Sequence, residues 1–360
     1  MPGNNTGLLS ICCLGYNHAD FLAENIKSIC NISYPKIEVI VVDDGSQDNS
    51  VDLLYGLSKS VPFEMKVIAQ KNTGNIGKNF NNAYKIAKGE FITFIALDDV
   101  YHPKTMLKQI EAMNNSSELA FIASSKAVSI NNDGYINEDF QALSLYSRET
   151  GNINDLLDLE YSEFGAFYLQ GAIFKKSIID AVGGFDEDMT GDDLVIRTKI
   201  FKYIEKNPHC KFLIQKENSC FYRLHDGNVH KNTIRQLKIV TEYLERYWPE
   251  KENPKTLIDW YCAYIYNEKF DNYIKAFSLN KRASSLLKED AIISEIKKSV
   301  KKEFSPIRKW LKVVFKREKG KNGEREIVIL YFFKIKYKKK EKGKGKGKGK
   351  NPAVHYSDLI

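Results

Sequence analysis

The sequence lacks the patterns of several common protein classes. No apolar run approaches the roughly 18 residues that a membrane-spanning helix needs. Residues 1–7 carry no basic stretch, so we expect no secretory signal. The six cysteines form no C-x-x-C pair, which argues against a zinc site or a disulfide framework and favours a reducing, cytoplasmic location. No G-x-G-x-x-G motif opens a helix after the first predicted strand, which disfavours a dinucleotide-dependent dehydrogenase.

Positive charge is concentrated in one part of the chain. The 360 residues carry a formal net charge of +8. Residues 301–350 contain 20 Lys and Arg but only 5 acidic residues, so the remainder of the chain is mildly acidic. Within this basic part, Lys342–Lys350 alternates Lys with Gly. Such a repeat cannot bury a core, and we expect it to be disordered.

The segment Arg308–Arg317 places Trp, Leu, Val and Phe among cations. As a helix, this segment can lie on an anionic membrane surface with its apolar side embedded. It can equally pack on the rest of the protein and leave its basic face in water. We hypothesise peripheral membrane association, and we expect no specific nucleic-acid partner.

The first 125 residues alternate between strand and helix patterns. Apolar runs at Leu8–Leu14, Ile37–Val42 and Phe91–Leu97 predict buried strands. Two further strands are predicted near Met65–Ala69 and Leu119–Ala123. Repeated strand–helix–strand units predict a mostly parallel sheet with helices on both faces. Ligands of such sheets bind beyond the C-terminal ends of the strands.

Three acidic pairs occupy positions where such a sheet can bind ligands. The first acidic pair (Asp43–Asp44) and the second acidic pair (Asp98–Asp99) each follow a predicted strand, and the third (Asp192–Asp193) opens a predicted helix. Adjacent carboxylates repel each other unless a cation or hydrogen-bond donors compensate. The first pair can accept hydrogen bonds from a nucleobase or ribose. The second can hold Mg²⁺ or Mn²⁺ on a diphosphate, and the third can take a proton from a hydroxyl group.

Each pair also has a purely structural interpretation. The first can form a turn and cap the following helix, and the second can be a capping Asp beside a solvated one. The carboxylates of the third are favoured by the dipole of the helix that they open. Arg223 and His225 could contact phosphate, although a lone His is more often a hydrogen-bonded structural residue.

Taken together and in order, these segments resemble the family 2 glycosyltransferases of bacterial surface-polysaccharide synthesis, whose nucleotide-sugar-binding fold is called GT-A. The resemblance covers about residues 7–230. The matching stretches are SICCLGYNHADFLAENIKSI, IEVIVVDDGSQDNS, NTGNIGKNFNNAYKIAKGEFI, ALDDVYHPKTMLKQI, GAIFKKSIIDAVGGFDEDM, DDLVIRTKIF and YRLHDGN.

The fold class that the resemblance implies is α/β, a GT-A fold with a mostly parallel central sheet. The expected organisation is a catalytic domain over residues 1–230, a helical C-terminal extension over 231–318 and a disordered basic tail over 319–360. The helical pattern of residues 232–316 and the basic composition beyond it are in keeping with these boundaries.

On the donor side, the resemblance assigns nucleotide-sugar contacts to four residues. Tyr16 falls where an aromatic ring stacks on the donor base. Asp44 falls where a carboxylate holds that base, and Asp43 lies beside the ribose. Lys78, in the loop after the third strand, faces the nucleotide.

At the reacting end, the resemblance assigns the second acidic pair to metal binding, with Asp99 as the direct ligand of Mn²⁺ or Mg²⁺ and Asp98 beside the nucleotide-sugar. Asp193 matches the catalytic base, and Arg223 and His225 match a segment that closes over the diphosphate. Three departures from the family pattern stand out: Ala96 replaces an acid, Leu194 replaces an aromatic residue, and Leu14–Gly15 replaces Pro-Thr.

The implied reaction is an inverting transfer of a sugar from a nucleotide-diphosphate donor, with uridine favoured as its base, to a glycan or lipid-linked acceptor hydroxyl. Two other functions remain open. A sugar-phosphate nucleotidyltransferase shares the sheet architecture, but Gly15–Asp20 lacks the Gly-rich, Arg-containing loop of that class. A non-catalytic, membrane-docking nucleotide-sugar-binding module would use the acidic pairs only as turn caps.

Overall fold

A seven-stranded sheet forms the centre of the protein in a computed structural model that describes residues 6–137, 151–228, 232–304, 315–319, 325–329 and 355–358. The strands are β1 (Leu9–Gly15), β2 (Ile37–Asp43), β3 (Glu64–Ala69), β4 (Phe91–Ala96), β5 (Val100–Tyr101), β6 (Leu119–Ser124), β7 (Val128–Ile130), β8 (Ile173–Lys175), β9 (Lys211–Gln215), β10 (Cys220–Arg223), β11 (Phe315–Lys319) and β12 (Arg325–Ile329). The order in the large sheet is β3-β2-β1-β4-β8-β6-β9. Only β8 runs antiparallel to its neighbours, so the predicted mostly parallel sheet is confirmed.

Helices cover both faces of this sheet. They are α1 (Leu22–Cys30), α2 (Ser50–Leu57), α3 (Ile76–Tyr84), α4 (Pro103–Asn115), α5 (Ile153–Ser162), α6 (Lys176–Val182), α7 (Asp193–Lys206), α8 (Thr233–Tyr247), α9 (Lys255–Asn267), α10 (Phe270–Ala276), α11 (Lys281–Ser285) and α12 (Asp290–Phe304). Every residue of β2 is buried, as its β-branched sequence predicts for a strand covered on both faces. Helices α8 to α12 share one core cluster with the sheet. None of the helices in the described part of the chain is long and apolar enough to span a bilayer.

Strand register brings the ends of β1, β2 and β4 to one edge of the sheet. Gly15 pairs with Asp43 between β1 and β2, and Leu14 pairs with Ala96 between β1 and β4. The loops that carry the first and second acidic pairs therefore emerge side by side. This is the edge at which ligands bind in sheets of this type.

A smaller, three-stranded sheet lies against the loop that carries the second acidic pair. Its order is β5-β10-β7, with β10 antiparallel to β5 and parallel to β7. Because β5 begins directly after Asp99, the pairing of Phe221 with Val100 seats Arg223 beside the second acidic pair.

The prediction of one helix over Arg308–Arg317 is wrong for its last three residues. Phe315–Arg317 belong to β11 and pair with Ile327–Ile329 of β12. The sequence between these strands contains Asn322–Gly323, a dipeptide typical of tight hairpin turns. Residues 308–314 and the Lys-Gly repeat lie outside the described residues.

Candidate active site

A crevice of about 410 Å³ opens at the C-terminal ends of β1, β2 and β4. Residues from eight segments line it, among them Tyr16, His18, Asp44, Asn79, Asp98, Asp99, Gln170, Asp192, Tyr222 and Arg235. At least one member of each acidic pair therefore lies on the wall of a single cavity. A larger groove of about 650 Å³ follows β9 and contains none of the predicted site residues.

Tyr16 lies where β1 ends, and its side chain is 43% exposed on the crevice wall. The loop that carries it is fixed to the loop after β2. Asn17, which has a positive φ of 54°, receives a hydrogen bond from Gln47 N–H to its Oδ1 at 2.7 Å. Its own N–H donates to Ser46 Oγ at 2.8 Å. The ring is thus presented to the cavity by an ordered turn.

The two carboxylates of the first acidic pair organise loops. Asp43 Oδ1 accepts hydrogen bonds from the N–H groups of Gly45 (3.1 Å) and Ser46 (2.8 Å), which makes it the turn cap of the structural interpretation. It is not among the described residues that line the crevice, contrary to the contact predicted beside the ribose. Asp44 does line the crevice, and its oxygens accept from the N–H groups of Thr73 (2.8 Å) and Gly74 (3.1 Å).

Asp98 forms a cluster with two imidazoles. Its Oδ2 lies 2.9 Å from His225 Nε2 and 3.8 Å from His18 Nε2. Burial by itself raises the pKa of Asp98, but the hydrogen bond from His225 and the charges of both imidazoles hold it below its ordinary value. Burial lowers the pKa of His18. One ligand atom from each of the three residues falls within 4.8 Å of the others, a spacing that suits a metal ion.

The donor set around Asp98 fits the divalent cation that the family resemblance implies. Asp98 Oδ1 and Asp99 Oδ2 are buried and have no hydrogen-bond partner in the described parts of the chain. A buried carboxylate oxygen left in this state is costly, and a hard cation would satisfy it. His18 was not predicted from the sequence. An imidazole two residues beyond Tyr16 carries no motif that separates a ligand from a surface residue.

Asp99 is more deeply buried than Asp98, although both line the crevice. Its side chain is fully buried and its Oδ1 accepts from Arg223 N–H at 2.9 Å. Burial, together with the charge of Asp98, raises its pKa well above the ordinary value. The three-residue cluster contains Asp98 and not Asp99, but Asp99 lines the same crevice and its Oδ2 has no hydrogen-bond partner among the described residues, so Asp99 as a metal ligand stays a prediction.

Arg223 is a structural residue in this geometry. It is fully buried, and its Nε donates to the Asp98 carbonyl at 2.8 Å. Its Nη1 donates to the Asn132 carbonyl at 2.7 Å, and its Nη2 pairs with Glu24. With these donors occupied, Arg223 has no free face toward the crevice, contrary to the predicted diphosphate contact. Its burial follows from the pairing of β10 with β5 and β7, which no local motif encodes.

Lys78 also lies away from the predicted position. It is exposed in the first turn of α3, where its N–H donates to Asn75 Oδ1 at 2.8 Å. Neighbouring residues of this region, Gly74, Ile76 and Asn79, line the crevice, but Lys78 is not found there among the described residues. Successive residues of a helix point in different directions, so Lys78 can face solvent while its neighbour Asn79 faces the crevice.

The third acidic pair stands at the start of α7, with Asp192 as the residue that precedes the helix. Asp192 lines the crevice. Asp193 Oδ2 lies 3.6 Å from Arg197 Nη1, and Asp193 Oδ1 is buried without a hydrogen-bond partner among the described residues. Burial and the charge of Asp192 raise the pKa of Asp193 well above its ordinary value. Arg197 is held in turn by the buried Glu160, at 2.6 Å between Nε and Oε1.

Two further crevice residues were missed by the sequence analysis. Arg235, in the first turn of α8, lines the wall near Asp192, whose pKa its charge lowers while burial raises it. Gln170 contributes a buried Oε1 without a hydrogen-bond partner in the described residues. Arg235 follows the capping residue Asn232, whose Oδ1 accepts its N–H at 3.0 Å. That cap predicts where the helix begins, not which cavity it faces.

Comparison with known proteins finds one family and several named relatives. The family described as Glycosyl transferase family 2 matches residues 10–181. An uncharacterized glycosyltransferase of Nostoc sp. is 35% identical over 108 residues, 30% of this chain and 33% of that protein. The UDP-Glc:alpha-D-GlcNAc-diphosphoundecaprenol beta-1,3-glucosyltransferase WfaP of Escherichia coli is 28% identical over 243 residues, 64% of this chain and 82% of that protein. The chain thus spans about a third of the Nostoc relative's length.

Solved structures share the fold at low identity. TarS 1-349 of S. aureus, in complex with UDP-GlcNAc, superposes with a TM-score of 0.55 at 15% identity, over 89% of this chain and 97% of that one. Mannosyltransferase PcManGT from Pyrobaculum calidifontis, in complex with GDP-Man and Mn²⁺, gives a TM-score of 0.51 at 15% identity, over 85% of each chain. The predicted fold class is confirmed.

Proposed function

The chain belongs to glycosyltransferase family 2, and on that premise we propose that it moves a sugar from a UDP-sugar to the hydroxyl group of a glycan or lipid-linked acceptor, with inversion at the anomeric carbon. The predicted family and its enzyme class are confirmed. One observation carries the proposal: Tyr16, Arg235 and at least one member of each acidic pair (Asp44, Asp98, Asp99 and Asp192) line one cavity of about 410 Å³, although they come from distant parts of the chain.

The donor nucleotide occupies the side of the crevice formed by the ends of β1 and β2. Tyr16 offers an exposed ring on which a base can stack. Asp44 fixes the Thr73–Gly74 turn beside it, and it is the carboxylate of the first pair that lines the crevice and that we assign to the base. UDP is supported as the nucleotide because the TarS complex contains UDP-GlcNAc and WfaP is named for UDP-Glc.

Asp98 and His225, with His18 beside them, are the residues that would hold a divalent ion, and the Mn²⁺ in the PcManGT complex supports its use. When bound, such an ion supplies positive charge at the diphosphate as the bond to the sugar breaks. Asp99 holds strand β10 beside the acidic loop, because its Oδ1 accepts a hydrogen bond from Arg223 N–H. This division of roles assigns the Asp98 carboxylate to the ion and Oδ1 of Asp99 to the fold.

The acceptor hydroxyl attacks the anomeric carbon from the side of the third acidic pair. The bond from that carbon to the diphosphate oxygen breaks as the new glycosidic bond forms, and the hydroxyl proton passes to a carboxylate. We assign the proton to Asp193, with Asp192 as its neighbour on the crevice wall. A raised pKa suits a general base, because a more basic carboxylate is the better proton acceptor.

Arg235 lies on the acceptor side, close enough to Asp192 to affect its pKa. A guanidinium at this place can bind an anionic group of the acceptor. The acceptor named for WfaP is a diphosphoundecaprenol-linked sugar, which carries such a group. We therefore assign Arg235 to a lipid-linked diphosphate acceptor of surface-glycan synthesis.

Peripheral binding to the inner face of the membrane would bring the enzyme to such an acceptor. The basic residues 301–350 supply the charge for an anionic surface. Deletion of residues 305–350 should abolish co-sedimentation with vesicles that contain anionic lipid and leave neutral vesicles unaffected. Equal co-sedimentation of the full and shortened chains would contradict membrane binding by this segment.

A panel of UDP-, GDP- and dTDP-sugars, each with and without Mn²⁺, tests the function as a whole. We expect a metal-dependent thermal shift with one UDP-sugar, and release of UDP when a lipid-linked or saccharide acceptor is added. Asp98→Ala should lose the shift, whereas the control Lys78→Ala, exposed and outside the crevice, should retain it. If no nucleotide-sugar stabilises the protein, or if pyrophosphate is released in place of UDP, sugar transfer is not its function.

A further inference from the structure

Residues 355–358 are far from the crevice in sequence but pack on the three-stranded sheet behind it. The Tyr356 side chain is only 7% exposed, and its ring centroid lies 5.4 Å from that of Phe221 in β10. Together with Val100 and Ile130, these two rings form a separate apolar cluster. The contact is therefore a packed one, with strands β5, β7 and β10 each contributing a side chain.

Directional hydrogen bonds fix this segment as well. The Tyr356 N–H donates to the Gly134 carbonyl at 2.9 Å, and His355 pairs with Tyr135 in an antiparallel bridge. His355 Nε2 lies 2.9 Å from the Asp133 carbonyl, while its Nδ1 accepts from Ser357 N–H at 3.3 Å. Both ring nitrogens of His355 are therefore in contact with polar groups.

The turn that receives the segment depends on a glycine. Gly134 has a φ of +83°, which glycine adopts without strain. A Cβ at this position would lie 2.4 Å from His355 Nε2 and 2.8 Å from a carbon of the Tyr356 ring. The absence of a side chain thus provides the space that residues 355–358 fill.

A chain of contacts joins Tyr356 to the second acidic pair. The Tyr356 hydroxyl donates to the Glu24 carboxylate, and burial together with this acid raises the pKa of Tyr356. Glu24 pairs with Arg223 Nη2. Arg223 in turn donates from Nε to the Asp98 carbonyl and from N–H to Asp99 Oδ1, at 2.8 and 2.9 Å. The segment therefore contacts the residues that fix the acidic loop.

We propose that the three-stranded sheet contains a binding site for a short tyrosine-containing peptide segment, occupied by residues 355–358 of this same chain. The docked segment positions Asp98 through Tyr356, Glu24 and Arg223. The effect on Asp98 rests on the proposed function, whereas occupancy of the site does not.

The test uses the full chain and three variants. Tyr356→Ala removes the ring and the hydroxyl, and Tyr356→Phe removes only the hydroxyl. Tyr55→Ala changes a tyrosine that is 47% exposed on α2, and serves as the matched control. Amide hydrogen exchange of β7 and β10 reports occupancy, and titration with UDP and Mn²⁺ reports the acidic loop.

We expect Tyr356→Ala to speed exchange in Val128–Ile130 and Cys220–Arg223 and to weaken Mn²⁺-dependent UDP binding about fivefold, the low end of typical coupling between sites. Tyr356→Phe should weaken UDP binding less and leave exchange close to that of the parent. A fluorescent synthetic peptide of residues 352–360 should bind the Tyr356→Ala chain and restore its UDP affinity, whereas the same peptide with Ala at position 356 should do neither.

Unchanged exchange in Tyr356→Ala, or no saturable binding of the peptide, would overturn the proposal. If the parent chain itself does not bind UDP with Mn²⁺, the proposed function fails, and exchange with peptide binding still decide whether the site exists. A doubling of mass that Tyr356→Ala reverses would show that the segment occupies a second copy, which contradicts docking within one chain.

Discussion

The first and second acidic pairs are alike in sequence and differ in what their oxygens contact. All four carboxylate oxygens of Asp43 and Asp44 accept hydrogen bonds from the surrounding loops. In the second pair, Asp98 Oδ1 and Asp99 Oδ2 are buried with no hydrogen-bond partner in the described residues. An unsatisfied buried acceptor costs about 1–3 kcal/mol. The first pair therefore builds a loop, and the second is arranged for a ligand that supplies the missing contacts.

The largest effect is expected at the third acidic pair. Asp193 shares features of both other pairs, because its Oδ1 has no hydrogen-bond partner among the described residues and its Oδ2 forms an ion pair with Arg197. We expect Asp193→Asn to leave donor binding nearly unchanged and to lower turnover about 10²- to 10⁴-fold, as is typical for loss of a general base. A base acts only when it is deprotonated. Turnover of the parent should therefore fall as pH decreases through the raised pKa of Asp193, at a higher pH than an ordinary aspartate would give.

Two companion variants locate the base within the third pair. Asp192→Asn changes the carboxylate on the crevice wall, and Asp188→Asn changes a 70% exposed carboxylate paired with Arg246. Asp188→Asn should retain full turnover. Steady-state rates that fall for Asp192→Asn but not for Asp193→Asn would transfer the role of base to Asp192 and refute our assignment.

The second prediction compares the first two pairs directly. Asp98→Ala should weaken Mn²⁺-dependent UDP binding by about 10- to 100-fold, because it removes the central carboxylate of the cluster with His18 and His225. Asp43→Ala should leave that affinity within about threefold and lower the free energy of unfolding by about 1–3 kcal/mol, since it leaves turn N–H groups without their acceptor. Calorimetry and urea unfolding measure the two effects.

Equal UDP affinities for Asp98→Ala and the parent, with metal present, would show that the cluster does not bind the ion. Loss of UDP binding in Asp43→Ala, without loss of stability, would mean that its carboxylate contacts the nucleotide after all. Either result would remove the distinction between a loop-building pair and a ligand-binding pair.

Local sequence predicts the sheet and the places of the acidic pairs well. The all-apolar run of β2 follows from a pattern within a few residues, and the alternation of strands and helices predicts the mostly parallel sheet. These patterns also indicate that the pairs converge at one edge. They do not tell which oxygens remain free, because the donors to Asp44 come from Thr73 and Gly74, some thirty residues away.

The positions of the cations were the least predictable part of the site. Arg223 has phosphate-binding chemistry, yet long-range strand pairing buries it against Asp98, Asp99 and Glu24. Arg235 carries no motif and reaches the crevice only because α8 packs beside α7. The role of each arginine therefore depends on tertiary contacts, which the neighbouring sequence does not predict.

The third prediction uses this difference between cations. Arg235→Ala should raise the KM for a lipid-linked diphosphate acceptor about tenfold, which corresponds to the loss of one charge-assisted hydrogen bond. Lys78→Ala should change it less than twofold, because this side chain is exposed outside the crevice. Initial rates over a range of acceptor concentrations distinguish them. A larger effect from Lys78→Ala would favour the nucleotide contact expected from the sequence.

The smallest effect is expected at Tyr16, between the loops of the first two pairs. Stacking on a base contributes about 1–3 kcal/mol in well-enclosed sites, and a ring that is 43% exposed should give the low end of that range. Tyr16→Ala should therefore raise the Kd for UDP about fivefold, while Tyr16→Phe, which keeps the ring, should stay within about twofold. If both variants weaken UDP equally, the hydroxyl and not the ring face makes the contact. The wall between the two pairs would then be polar, and the base would bind by hydrogen bonds to the Asp44 side of the crevice.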